Sequence, residues 1–295
     1  MAYLLLTGAS GFIGTNLIAY LESINSPILD RLVILSSVKH NKYPTILHSN
    51  YSLTKDMFKG YDIESILHLG AFIPKASEEI NDFFNNTSNI NSTLSLIETL
   101  PDSVRYFVYI STTDVYSDSN NLIDEAVAVG PSTIYGYSKV YCEKMVEQWC
   151  SQKNITLQIL RIGHIYGKGE GQYKKLIPET IRKVINNEVP VIYATGEERR
   201  SFLNAKDCVR LIFNSLDLKF FAGPINIVSS VSYSVKEIVE MIISISGKKL
   251  LPRILNQNII MKNLVFDCKK MHYYLGKESI SLYAGLKEEY KYFEQ

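Results

Sequence analysis

The sequence predicts an α/β chain: a doubly wound parallel sheet followed by a smaller C-terminal lobe. Three observations lead there. Short β-branched runs alternate with longer amphipathic stretches through the first half, a glycine-rich turn joins the first such pair, and the rhythm stops after residue 164. "YLLLT" (3–7) reads as the first strand, and "FIGTNLIAYLESI" (12–24) carries apolar residues at helical spacing. "RLVILSS" (31–37), "SILHLG" (65–70), "VRYFVYIS" (104–111) and "TLQILRIG" (156–163) read as further strands. Between them, "DFFNNTSNINSTLSLIETL" (82–100) and "TIYGYSKVYCEKMVEQWC" (133–150) are helical in period. Beyond 164 come the loop "YGKGEGQ", a helix near 175–186, a turn at "ATGEERRS" and further short elements.

With 295 residues, 46% of them hydrophobic and 21% charged, the chain can bury one large α/β core or two closely packed ones. A formal net charge of +1 excludes a broad basic footprint for nucleic acid or a membrane surface. The longest apolar runs fall well short of a bilayer span, and Met1 leads directly into the first strand, so neither a signal peptide nor an anchor is expected and the expected address is cytoplasmic. Cys142, Cys150, Cys208 and Cys268 are widely spaced with no CxxC pair, which predicts reduced, buried thiols. His48 and His272 have no acidic or thiol partner at ligand spacing, so no metal is expected.

"TGASGFIG" sets Gly8, Gly11 and Gly14 between the first strand and the first helix. Gly8 permits the tight turn, Gly11 lets a pyrophosphate approach the backbone, and Gly14 lets helix and strand pack closely, while the helix N-terminus offers free N–H groups to phosphates. Residues 1–163 are therefore expected to form a dinucleotide-binding unit, completed by a return segment near 203–228, with 164–295 forming mainly a substrate-binding lobe. The second strand ends not in an acid but in Ser36 and Ser37, with Lys39, His40 and Lys42 behind them. Hydroxyls and cations suit a 2′-phosphate, whereas an acid would hydrogen-bond a free ribose. NADP is therefore favoured, with NAD possible; Asp30 precedes the strand and should lie at its wrong end.

The pattern YxxxK occurs four times, at Tyr51/Lys55, Tyr135/Lys139, Tyr273/Lys277 and Tyr283/Lys287, so context must discriminate. Only Tyr135 opens a helix just after a strand ending in a hydroxyl cluster, "ISTTDVYS" (110–117). Positions i and i+4 share a helix face, so Tyr135 and Lys139 project together and Tyr137 and Tyr141 point elsewhere. An ammonium beside a phenol should lower the phenol pKa, and such a tyrosine can exchange a proton with a carbonyl oxygen as hydride moves.

Taken together these motifs resemble the extended short-chain dehydrogenases/reductases of the NAD-dependent epimerase/dehydratase family. The resemblance spans nearly the whole chain: besides the stretches above it includes "ILHLGA", "LRIGHIYGKGEG", "RRSFLNAKDCV" and "DCKKMHYYLGKESISLYAGLKEEY". It implies a Rossmann fold and catalysis by Thr112, Tyr135 and Lys139, with Lys139 also reaching the nicotinamide ribose. It implies cofactor contacts from Ser10, Phe12, Ile13, Leu69, Gly70, Ala71, Asn89 and Ile162, and from Asp56 and Met57 beside the adenine. Arg200 is expected to grip a substrate diphosphate, with Thr113, Asp114 and His164 also on the substrate side, and relatives dimerise through two long helices.

Members act on nucleotide-activated sugars. The 4,6-dehydratases carry Asp-Glu after the catalytic Thr; here Thr113 and Asp114 stand there, so dehydration is not expected. Epimerase/reductases of the GDP-fucose type use a Cys and a His, and Asp114 takes the place of that Cys. The lean toward NADP favours a 4-ketoreductase of a 4-keto-6-deoxy sugar, as does "RIGHIYGKGEGQYKKLIP", which is similar to reductases of the CDP-abequose synthase type. A 4-epimerase with tightly bound NAD and a non-catalytic dinucleotide-binding module stay open. His164 stands where most relatives carry Asn, either touching substrate or satisfied by backbone.

Overall fold

A computed structural model describes residues 2–117, 122–257 and 262–295. Seven parallel strands form its central sheet: β1 (Tyr3–Thr7), β2 (Leu32–Ser36), β3 (Thr45–Leu47), β4 (Ile63–His68), β5 (Tyr106–Thr112), β6 (Thr156–Ile162) and, from much later in the chain, a strand at Ile225–Ile227. From the edge next to β6 the order is Ile225–Ile227, β6, β5, β4, β1, β2, β3, so the direction of winding reverses between β1 and β4. In such sheets ligands bind outside the carboxyl ends of the strands at that reversal.

Alternation along the strands explains why both faces are covered. Leu4 and Leu6 of β1 join one core with Val108 and Ile110 of β5, while Leu5 joins the opposite core with Phe107 and Tyr109. Helix α1 (Phe12–Ser23) covers the first face, and α2 (Phe83–Thr99) and α3 (Ile134–Lys153) cover the second. Each fully buried Leu, Ile or Phe side chain in these layers contributes roughly 1.5–3 kcal/mol. Helix α3 runs to Lys153, past its expected end, because Asn154 closes it in the left-handed conformation. The sequence reading missed β3, which at three residues is too short for periodicity and is recruited by parallel pairing with β2.

After β6 the chain builds two small sheets: β7 (His164–Tyr166) pairs with β9 (Arg199–Asn204), and β8 (Val191–Ile192) pairs with a strand at Arg253–Ile254. Helices α4 (Leu176–Ile185), α6 (Val235–Ser246) and α8 (Leu282–Phe293) gather a third core around Tyr166, Ile192 and Phe202. Helix α5 (Ala205–Ser215) returns to the large sheet and packs beside α1, followed by the seventh strand β10 (Ile225–Ile227). α7 (Lys269–Tyr274) lies against β10. Among the described residues no helix is long and apolar enough to cross a membrane. All four cysteines are free and buried.

Candidate active site

The glycine turn sits at the carboxyl end of β1, at the reversal of the sheet. Gly8 has φ +71°, and a Cβ there would lie 2.6 Å from the Gly70 nitrogen; a Cβ on Gly14 would lie 2.2 Å from the Gly8 carbonyl oxygen. The backbone of β1, α1 and the end of β4 thus meets at a distance no side chain permits, leaving a cradle of bare peptide at a helix N-terminus, which fits a dinucleotide pyrophosphate. Thr7 Oγ1 accepts from Gly70 N at 2.8 Å and pairs with His68 Nδ1 at 2.7 Å, fixing the β4 turn to β1. Burial and then the Lys139 charge lower the His68 pKa to about 3, so the ring is neutral.

Ser10, Ile13, Leu69, Gly70 and Ala71 lie along this turn, the end of β4 and the start of α1, Ile162 ends β6 on the far side of β4 and β5, and Phe12 packs against Tyr173 of the loop after β7. Asn89 does not present a free amide. Its side chain accepts from Phe72 N (2.7 Å) and donates to Phe72 O (3.1 Å) and Ser138 Oγ (3.3 Å), so it props the β4 turn against α3 rather than reaching outward. At the end of β2, Ser36 Oγ accepts from Val38 N at 3.2 Å, and Ser37 and Lys39 are exposed. Lys39 lines a cavity of about 360 Å³ between α1 and the β2–β3 loop. The acid in that cavity, Glu22, is taken by Lys42 and the Tyr43 hydroxyl, both at 2.9 Å. Asp30 lies in the 3₁₀ turn Pro27–Arg31 ahead of β2, at the opposite end from the glycines. Asp56 and Met57 occupy the 3₁₀ turn Lys55–Phe58, where Asp56 pairs with Lys59 in solvent. Tyr51, one of the other YxxxK matches, has its hydroxyl near Thr7, where a Gly70 Cβ would stand.

Thr112 ends β5 and Tyr135 opens α3. Gly136 brings them together, since a Cβ there would lie 2.5 Å from the Asp114 carbonyl oxygen. The helix is capped by Thr133, whose Oγ1 accepts from Gly136 N at 3.0 Å, and Tyr135 N donates to Ile80 O at 3.1 Å. Thr112 Oγ1 accepts from Asp114 N at 3.2 Å, and its hydroxyl favours the charged forms of the Tyr135 phenol and the Asp114 carboxyl. Asp114 reaches solvent, yet protein surrounds it on its other sides, and that desolvation raises its pKa against the pull of Lys175 and Thr112.

One expectation is corrected. Lys139 lies on the Tyr135 side of α3, but its ammonium donates to Ile110 O at 2.7 Å and sits 4.5 Å over the Tyr109 ring. Burial lowers its pKa to about 8, while Cys142 and Glu143 raise it. The Tyr135 phenol pKa is raised, not lowered, by burial and then by the Asp114 charge, which together outweigh the opposing pull of Thr112. Tyr137 and Tyr141 are 56% and 58% exposed, as helical spacing demands of residues off the Tyr135 face.

A second cavity, of about 300 Å³, lies between β7, β8, β9 and α4. His164, Lys175, Glu198 and Arg200 supply its charged and titratable groups, and Leu176, Ile192, Tyr193, Phe202 and Val235 much of its apolar wall. His164 Nδ1 is buried without a partner, so the reading of a ring satisfied by backbone does not hold. Burial, then Lys175 and Arg200, lower its pKa to about 3. Lys175 acts on both Asp114 and His164 and so links this cavity to the Thr112–Tyr135 end, with Thr113 beside Asp114. Sequence reasoning missed Lys175, Tyr193 and Glu198, because each arrives from a segment without informative periodicity.

A seven-stranded parallel sheet with a glycine turn at its reversal and a tyrosine–lysine helix beside a strand-end threonine defines an extended short-chain dehydrogenase/reductase. Residues 4–227 match the model of the NAD dependent epimerase/dehydratase family, and the chain belongs to that family. It is 29% identical over 277 residues to a dTDP-D-glucose 4,6-dehydratase of Dictyostelium discoideum, covering 82% of this chain and 62% of that one, so it spans less than two thirds of that relative. It is 28% identical over 265 residues to an uncharacterized UDP-glucose epimerase of Bacillus subtilis, covering 83% of each. Among solved structures it is similar in fold to a UDP-glucuronic acid 4-epimerase from Bacillus cereus in complex with NAD, with a TM-score of 0.85 and 24% identity over 100% of this chain and 99% of that one. A UDP-glucose 4-epimerase from Thermotoga maritima with UDP-glucose gives a TM-score of 0.84 at 20% identity, again over 100% and 99%.

Proposed function

We propose that the chain catalyses NADPH-dependent reduction of the C4 keto group of a nucleotide-activated 4-keto-6-deoxy sugar, within deoxysugar or surface polysaccharide biosynthesis. The observation that carries the choice of cofactor, and with it of reaction, is the carboxyl end of β2. Ser36 and Ser37 stand where an acid would hold a free ribose, Lys39 faces the adjoining cavity, and Glu22 is already paired. The glycine cradle holds the pyrophosphate, Asp56 and Met57 flank the adenine, and Leu69, Gly70, Ala71 and Ile162 line the nicotinamide side.

The bound cofactor supplies hydride to the sugar carbon. The protein's part is to hold the carbonyl and provide a proton. Thr112 orients the carbonyl oxygen, and Tyr135, kept protonated by burial and Asp114, donates its phenolic proton to that oxygen. A phenol held neutral suits reduction, since epimerisation must first use it as a base. Lys139, anchored on Ile110 O, offers its remaining protons to the nicotinamide ribose. Arg200 and Lys175 take the diphosphate in the cavity of the second lobe. A homodimer through α2 and α3 completes the reading, because Phe83, Phe84, Tyr137 and Tyr141 leave an apolar face there, 56–86% exposed.

A second reading, a 4-epimerase with tightly bound NAD, is favoured by the solved relatives described as 4-epimerases, one of them in complex with NAD. The two separate in one assay. The purified chain, mixed with NADPH and a panel of nucleotide-linked 4-keto-6-deoxyhexoses, is expected to consume NADPH. Tyr135→Phe should lower that turnover by about 10²- to 10⁴-fold with NADPH binding retained, and Tyr137→Phe should leave it unchanged. No consumption with any member, alongside interconversion of UDP-glucose and UDP-galactose without added cofactor, would replace the reductase by the epimerase.

A further inference from the structure

Among the described residues Glu198 is the one acid lining the second cavity, among cations and apolar walls. It is 8% exposed, and its Oε2 is buried with no hydrogen-bond partner among the described residues. The neighbouring cation does not satisfy it. Arg200 Nη1 donates instead to the carbonyls of Arg199, at 3.0 Å, and of Lys262, and feels Glu198 only through space. The main chain at Glu198 is fixed, its carbonyl accepting from Val235 N at 3.0 Å at the start of α6. A buried carboxylate that no protein donor meets costs free energy unless a ligand supplies the donor.

We infer that Glu198 selects substrates whose nucleobase carries an amino group, cytosine or guanine, over those with uracil or thymine. This rests on the nucleotide-sugar reading of the site. Lys175 adjoins Asp114 and so marks the sugar end, Arg200 and Lys175 are the cations for the diphosphate, and the wall around Ile192, Tyr193 and Val235 is left for a flat apolar ring. Glu198 lines the same cavity as that wall and acts on Arg200 through space. A carboxylate only accepts hydrogen bonds. Cytosine offers its N4 amino hydrogens to such a group, and guanine offers N1–H beside its N2 amino group. Uracil and thymine offer a single N3–H between two carbonyl oxygens, each of which repels the carboxylate.

The test is isothermal titration of the full chain with CDP, GDP, UDP and dTDP, without cofactor or turnover. CDP or GDP should bind roughly 10- to 100-fold tighter than UDP and dTDP, and Glu198→Gln, whose amide both donates and accepts, should collapse that ratio. Which of CDP and GDP binds better identifies the base. Tightest binding by UDP or dTDP overturns the inference, whether or not the variant folds. So does a ratio unchanged in a folded Glu198→Gln, which would assign the carboxylate to the sugar. Absence of binding by all four overturns it together with the nucleotide-sugar reading. A chain that ranks the nucleotides as expected but leaves NADPH unoxidised keeps this inference and loses the reductase.

Discussion

At the glycine turn the surface offered to a ligand is backbone, formed by β1, α1 and the end of β4 at separations a single Cβ would forbid. At the cavity of the second lobe it is side chain, with His164, Lys175, Glu198 and Arg200 brought from separate stretches of chain onto an apolar wall. In the proposed function the first end takes what every dinucleotide shares, a pyrophosphate, and the second takes what differs between substrates, with side chains that can each change on their own. Between them stand Thr112 and Tyr135, held by one helix start and one strand end.

Substitutions can break or sharpen that contrast. Gly14→Val should abolish dinucleotide binding outright, measured by quenching of protein fluorescence on NADPH titration, because its Cβ would start 2.2 Å from the Gly8 carbonyl. A variant that still binds NADPH normally would show that the close approach does not matter. Arg200→Ala should instead produce a graded effect. Loss of one charged contact weakens binding of the nucleotide by roughly 10- to 100-fold while NADPH affinity stays at the wild-type value. Equal losses for both ligands would mean that the two ends are not separate.

The smallest effect is expected at the seam between them. The loop after β7 packs Gly169 on Phe12 and ties Lys168 O to Asn16, and it carries Glu170 against Glu289 of α8, both carboxyls buried. Burial raises Glu170 to about 7, opposed by Lys175, and burial with the Glu170 charge raises Glu289 to about 9, both above an ordinary 4.5. The folded chain therefore binds more protons than the unfolded one between those values. The pair's stability is fully present below about 4.5 and is lost progressively as pH rises from there through 7 to 9. Melting temperature should fall over that range, and Glu289→Gln should flatten the fall; an unchanged slope would place the proton elsewhere. Tyr166, Tyr173 and Asp207 also lie in this field.

Much of the first half was legible because its signals are local. Period-two apolar runs, a three-glycine turn and a tyrosine four residues before a lysine are each contained within one or two elements. The Lys139 ammonium was misjudged from the same spacing, since a shared helix face does not say that Ile110 O and the Tyr109 ring compete for the charge. Asn89 was placed near the cofactor end, but its amide is committed to Phe72 and Ser138. Likewise nothing in "EVPVIYATGEERR" announces that Glu198 turns into a cavity shared with His164, some thirty residues earlier.

By itself, then, the sequence determined the doubly wound sheet, the glycine cradle and which of twenty tyrosines opens the helix beside the strand-end threonine, because backbone geometry and i, i+4 spacing are properties of short segments. Only the tertiary structure decided that the Tyr135 phenol is held protonated and that, among the described residues, one acid lines the second cavity. Desolvation and charge proximity are set by residues distant in the chain, and no local pattern records them.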